Sequence, residues 1–156
     1  MEQRRGPFPS PAFLQQLGAN DPSPMTAVVS GEFTANVSGA PLGACNVAGR
    51  VSNVWLSVEA SGKDDTNTLS LTADVLINGT SCLSTAPIIA HVSGEASTNK
   101  TTKDDADTGV TQCAMDADNN DVSYGDVITY DLALTRTPSP TTEMGNVVIV
   151  VEFEPA

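Results

Sequence analysis

Apolar and polar residues alternate strictly in two places along this chain. From Thr68 to Asn78, the residues Leu69, Leu71, Ala73, Val75 and Ile77 fall on one side, and Ser70, Thr72 and Asp74 on the other. From Asp126 to Thr135, Ile128, Tyr130, Leu132 and Leu134 share a face opposite Thr129, Asp131, Ala133 and Thr135. A period of two belongs to a strand with one face on a core and the other in water. A third stretch, Val147 to Phe153, reads Val-Val-Ile-Val-Val-Glu-Phe and is β-branched nearly throughout. Its first half is apolar on both faces, which predicts a central, two-sided strand of a packed sheet. Pro138 and Pro140 break the link between the last two stretches, and Pro155 ends the final one.

Weaker patterns fill in the rest. Met25 to Ser38 reads as a first strand with Gly31 as a bulge or bend, and Gly39-Ala40-Pro41-Leu42-Gly43 as a loop. In Asn46 to Ala60, Val54, Leu56 and Val58 alternate against Asn53, Trp55, Ser57 and Glu59, so Trp55 lies opposite the aliphatic face, where it covers a sheet edge or belongs to an interface. Ser61 to Asn67 is a polar turn, and Asn78-Gly79 turns the chain. Pro87 to Val92 predicts a short strand, Ser93 to Thr108 a long loop or weak hairpin, and Val110 to Met115 a further strand. No long segment has a helical period. Residues 25–156 are therefore expected to form one all-β domain, an antiparallel β-sandwich of seven to eight strands.

Residues 1–24 differ in kind. Pro7, Pro9, Pro11, Pro22 and Pro24 interrupt any regular element, and only Ala12 to Leu17 has room for a turn or two of helix. The segment reads as an extended, Pro-rich arm. Its large apolar residues Phe8, Phe13, Leu14 and Leu17 are too few to fold alone, so the arm either docks on a neighbour or on the body, or is a disordered terminus. Four such residues within ten positions favour docking.

Charge narrows the partners. The formal net charge is -12, and the residues from Thr26 onward carry all of it, with 17 acidic side chains against 5 basic ones. Such a surface repels nucleic acid phosphates and anionic membranes. Cys45, Cys82 and Cys113 are too far apart for CxxC motifs, and their odd number argues against a closed disulfide framework; they read as reduced core thiols of a protein made in a cytosol. The N-terminus carries Arg4 and Arg5 without an apolar run behind them, so no secretory signal is expected, and nothing reaches transmembrane length.

Candidate chemistry is thin. A nucleophilic mechanism would have to use His91, the only histidine, from inside an apolar strand, and no Gly-x-Ser-x-Gly elbow or phosphate-binding loop accompanies it. His91 is expected to be structural. The pairs Asp64-Asp65 and Asp104-Asp105, and Asp126, sit at predicted turns and read as solvated loop charge. In Asp116-Ala117-Asp118-Asn119-Asn120-Asp121, the oxygen ligands Asp116, Asp118 and Asn120 are spaced like the start of a calcium loop, but Asp121 stands where that loop wants glycine and Val127 where it wants a bidentate Glu. An acidic turn is the simpler reading, and neither enzymatic activity nor a cofactor is expected.

Two stretches carry a family likeness. Gly-Asp-Val-Ile-Thr-Tyr-Asp-Leu-Ala-Leu-Thr-Arg-Thr with the following Pro-Thr-Thr-Glu-Met-Gly-Asn-Val-Val-Ile-Val-Val-Glu-Phe-Glu, and the strand and turn Leu-Thr-Ala-Asp-Val-Leu-Ile-Asn-Gly-Thr, resemble the capsid decoration, or cement, proteins of tailed bacteriophages. They cover about a third of the chain. The resemblance implies a β-sandwich, often a jelly roll, standing on the capsid exterior of the virion, commonly as a homotrimer, and bridging neighbouring major capsid protein subunits. On that expectation Arg4, Arg5, Phe8, Phe13, Leu14 and Leu17 contact the capsid, and Trp55 an oligomer interface. A carbohydrate-binding or host-adhesion sandwich is the alternative; it calls for an exposed aromatic platform, and one Trp with two Tyr is a thin supply.

Overall fold

The computed structural model describes residues 23–66, 69–104 and 106–155. The expected arm residues Arg4, Arg5, Phe8, Phe13, Leu14 and Leu17 lie outside the described residues. Within them the fold is all-β and antiparallel, without a helix. The strands are β1 (Met25–Phe33), β2 (Val37–Ala44), β3 (Gly49–Ala60), β4 (Ser70–Ile77), β5 (Thr80–Ser81), β6 (Leu83–Thr85), β7 (Ile88–Ala90), β8 (Lys100–Thr101), β9 (Val110–Thr111), β10 (Ala114–Met115), β11 (Asp121–Val122), β12 (Val127–Thr135) and β13 (Met144–Glu154). Six of them are eight residues or longer, and the rest are segments of two or three residues.

One sheet runs β1-β13-β3-β11, with β8 also pairing β3. The other runs β2-β12-β4-β7-β9, with β5 also pairing β4, and β6 and β10 form a separate ribbon. The inner residues of both large sheets join a single hydrophobic core: Val54, Leu56, Val58, Val147, Ile149 and Val151 from the first, and Leu71, Ala73, Val75, Ile128, Tyr130 and Leu132 from the second. This arrangement is consistent with a β-sandwich. Alternation in β4 and β12 follows the sequence reading, because a strand with water on one side must put every second residue inward. β13 is central, as its two-sided apolar pattern predicts, paired with β1 on one edge and β3 on the other.

Three expectations are corrected. The first strand is two strands in different sheets: after buried Phe33 the chain crosses from one sheet to the other through exposed Thr34-Ala35-Asn36, and Asn36 Oδ1 accepts the Leu134 N–H at 2.8 Å, fixing the entry to β2. Residues 39–43, read as a loop, belong to β2 itself. β2 is an edge strand, where a proline such as Pro41 is tolerated, and irregular register with β12 absorbs its glycines. Val110 to Met115 likewise divides into β9 and β10 in different sheets. Gly31 does sit at a bulge: its φ of 83° lies where a side chain is strained, and the β1/β13 register shifts between Val29 and Glu32.

Candidate functional site

The densest polar cluster lies where the two sheets are tied along one flank. The β3–β4 loop supplies Lys63, Asp64 and Asp65, the end of β7 leads into His91, and β8 begins with Lys100. The His91 side chain is 1% exposed, with Nε2 3.1 Å from Asp65 Oδ1. A carboxylate only accepts, so Nε2 donates to it, and Nδ1 is buried without a hydrogen-bond partner among the described residues. Asp65 also accepts the Gly94 N–H at 2.9 Å and pairs with Lys63 at 3.3 Å. The Gly94 amide first, then His91, hold its carboxyl down at about 2.

Lys100 is the second anchor. Its ammonium, on a side chain 1% exposed, donates to the Ala90 carbonyl at 3.1 Å, the Thr108 carbonyl at 2.6 Å and Glu95 Oε2 at 2.7 Å. All three donors are therefore engaged. The Lys100 contact draws Glu95 below the usual carboxylate range, helped by the Val92 N–H. Because β8 pairs β3 while Ala90 belongs to β7, Lys100 links the two sheets. Asp64 departs from the solvated reading: it is buried, taking the Thr66 N–H and hydroxyl on Oδ1 and the Thr137 hydroxyl on Oδ2 at 2.6 Å. The chemistry of this cluster is that of positioned ion pairs at a seam. His91 is accordingly a buried side chain held by a carboxylate.

The calcium-like spacing folds into a turn that uses its own oxygens. Asp116 accepts the Asp118 N–H at 3.0 Å and the Asn119 side-chain amide at 2.8 Å, and the Asn119 contact lowers its pKa. Asn120 points the other way, its buried amide donating to the Val51 carbonyl at 3.0 Å. Asp116 and Asn120 are thus committed to turn and strand backbone. Among the described residues no group of three or more His, Cys, Asp or Glu side chains could hold a metal ion.

The outer face of the β1-β13-β3 sheet mixes three valines and Trp55 with polar residues. In register across it stand Thr26, Val150 and Trp55, then Val28, Val148 and Ser57. Val28 is 61% exposed, whereas Val150 is buried and Val148 and Trp55 are partly so. Trp55 lies opposite the aliphatic face as its spacing predicts. Its indole donates to Glu152 Oε1 at 3.1 Å, and the Lys103 ammonium sits 5.4 Å from the ring centroid.

At one end of the molecule Tyr124, which the sequence did not single out, is 81% exposed. The turn that presents it is braced. Asp126 accepts the Ser123 N–H, and Asn78, in the left-handed region at a φ of 51°, bonds both Asp126 and the Val127 N–H. These contacts hold the Asp126 carboxyl below its ordinary range, the Ser123 amide contributing most.

All three cysteines are free thiols. Burial pushes Cys82 up to about 12 and also raises Cys45 and Cys113, so none is poised as a thiolate nucleophile. No described helix is long and apolar enough to cross a membrane. In comparisons with protein-family models, curated proteins and solved structures, none matches the chain.

Proposed function

We propose that this chain is a structural virion protein that binds the outside of a tailed-phage capsid and bridges major capsid protein subunits. In this reading the two large sheets form a jelly-roll-like β-sandwich, and the domain stands on the shell as a homotrimer. The observation that carries the proposal is the division of charge and apolarity along the chain. The all-β body holds the whole net charge of -12, while the first 24 residues balance Arg4 and Arg5 against Glu2 and Asp21 and concentrate Phe8, Phe13, Leu14 and Leu17. An acidic body stays soluble and resists edge-to-edge association before assembly. An arm of this composition offers charge-assisted pairs and apolar anchors across a subunit boundary that the body alone does not reach. The family-like stretches supply β4, β12 and β13, strands with partners on both edges.

The test is cosedimentation with particles of the source lacking this protein, using the full chain and a chain without residues 1–24. Saturable binding by the full chain and loss of most occupancy on deletion is the expected result. Equal occupancy by both removes the arm from the contact, and no binding by either removes the capsid reading. Exposed Tyr124 on its braced turn favours a second reading, a glycan-binding or host-adhesion domain; binding to glycans without capsid, lost in Tyr124→Ala, would select it.

A further inference from the structure

We infer that the turn carrying Tyr124 is a preformed docking knob, and that its partner is a protein surface with an apolar pocket for the phenol ring and a rim of Lys or Arg. Exposure and order coincide at this turn. Among the described residues the exposed large hydrophobic side chains are Val28, Tyr124 and Val127, and the last two stand at the single turn that leads from β11 into β12. The turn is tied to two other segments. The Cys45 N–H donates to the Asp126 carbonyl and the Gly125 N–H to the Cys45 carbonyl, both at 2.8 Å, which fastens it to the end of β2. Asn78 fastens it to the β4–β5 turn: its backbone N–H donates to the Val127 carbonyl at 2.9 Å, and its side chain accepts the Val127 N–H and donates to Asp126. Folding has thus already ordered the backbone that presents Tyr124, so a partner that receives the ring loses little conformational entropy in the contact.

The surroundings identify the partner. The exposed residues that these ties bring beside the turn, Ala44, Asn46, Asn78 and Gly79, are uncharged. Asp126, the carboxylate of the turn, is occupied by the Ser123 N–H and the Asn78 amide. Exposure alone would suit a sugar as well as a protein. A sugar needs placed donors and acceptors beside the ring, however, and here Asn78 and Asp126 are bonded to each other and to backbone. An apolar pocket makes no such demand.

Charge sets what lies around that pocket. Every cation from Thr26 onward is already engaged: Arg50, Lys63, Lys100 and Arg136 pair with carboxylates, and Lys103 lies over Trp55. The excess charge of the body is therefore carboxylate, and a surface facing it is favoured by Lys and Arg. The same excess makes a second copy a poor occupant, because acidic bodies repel one another. A stable interface also buries about 800 Å² per partner, against about 150–250 Å² for one aromatic side chain. Tyr124 is thus one anchor of a larger contact with the shell, and the assignment of its partner to the shell rests on the capsid reading.

The experiment titrates the full chain and its Tyr124→Ala, Tyr124→Phe and Asp121→Lys variants onto particles of the source lacking this protein, at low and high salt. Tyr124 lies outside the core and Asp121 is exposed at the β11 end of the turn, so the variants should keep the parent's thermal transition. Expected are a weakening of about thirtyfold in Tyr124→Ala, as for a buried aromatic anchor, and near-parental affinity in Tyr124→Phe. Asp121→Lys should weaken binding at low salt and match the parent at high salt. Equal binding by the parent and Tyr124→Ala would overturn the inference and leave the capsid reading in place. Unchanged affinity of Asp121→Lys at low salt would overturn the cationic rim. An alanine variant that binds particles like the parent but loses binding to free glycans would assign the turn to a sugar and overturn the inference as well. No binding by the parent would remove the capsid reading and the docking partner together.

Discussion

The two large sheets share one core, yet their outward faces differ. On the β12-β4 pair the outward rows are Thr129 beside Leu76, Asp131 beside Asp74, Ala133 beside Thr72 and Thr135 beside Ser70: polar or small positions, apart from Leu76, with Asp131 accepting the Gly39 N–H and Asp74 the Ser81 hydroxyl. On the β1-β13-β3 sheet the corresponding rows are Thr26, Val150 and Trp55, then Val28, Val148 and Ser57, with Glu152 beside Asn53 beyond them. Both sheets bury their inner faces in one core, but the second carries more apolar side chains on its outer face. The difference teaches that a period of two marks a strand with one face left open, whereas its loss in β13 goes with outward valines that neighbouring side chains partly or largely bury.

The largest expected effect tests the half of that comparison in which the sheets agree. Leu132→Ala on one inner face and Ile149→Ala on the other each remove a side chain that is essentially unexposed. Each should cost about 2–5 kcal/mol in denaturant unfolding, since lost transfer energy and a residual cavity add. Comparable losses confirm a shared core. A loss confined to Leu132→Ala would mean that the β13 sheet is held by something other than the core.

A smaller effect tests the half in which they differ. Val150 and Ala133 are both outward, but Val150 is 9% exposed and Ala133 is exposed. Val150→Asp should cost about 1–3 kcal/mol, because a charged group is placed where water is largely excluded. Ala133→Asp should stay within about 0.5 kcal/mol of the parent. Equal costs would show that the two outer faces are alike and would remove the contrast.

The sequence made one side of this contrast readable and hid the other. β4, β12 and β13 were legible because their periodicity is the direct imprint of burial, and Trp55 was placed on the correct face by spacing alone. β2 was not, because Val-Ser-Gly-Ala-Pro-Leu-Gly-Ala has turn chemistry throughout and becomes a strand only by pairing with β12. The two-residue strands carry too little pattern to announce themselves. Lys100 stood in a polar segment that reads as loop, and its burial rests on acceptors from Ala90, Glu95 and Thr108, with the Ala90 carbonyl supplied by the other sheet. An unbroken polar run does not reveal which of its charges will be buried at a seam.

That seam gives the smallest effect and the one with a definite pH signature. Asp65 accepts from His91 and Gly94 and pairs with Lys63, and its carboxyl is held at about 2, below the ordinary aspartate value of 3.8. A depressed carboxylate stabilises the fold at pH values above the unfolded pKa, and the contribution is lost as pH falls through the folded one. The window is therefore about pH 4 down to 2. Within it the melting temperature of the parent should fall more steeply than that of Asp65→Asn, which has no carboxyl to protonate, and the two curves should converge toward the acid end. Glu95, also depressed through Lys100, should leave a residual slope in the Asn variant. A parent and an Asp65→Asn variant with parallel acid limbs would mean that the Asp65 contacts at the seam do not contribute, leaving the Lys100 link and the shared core to hold the two sheets together.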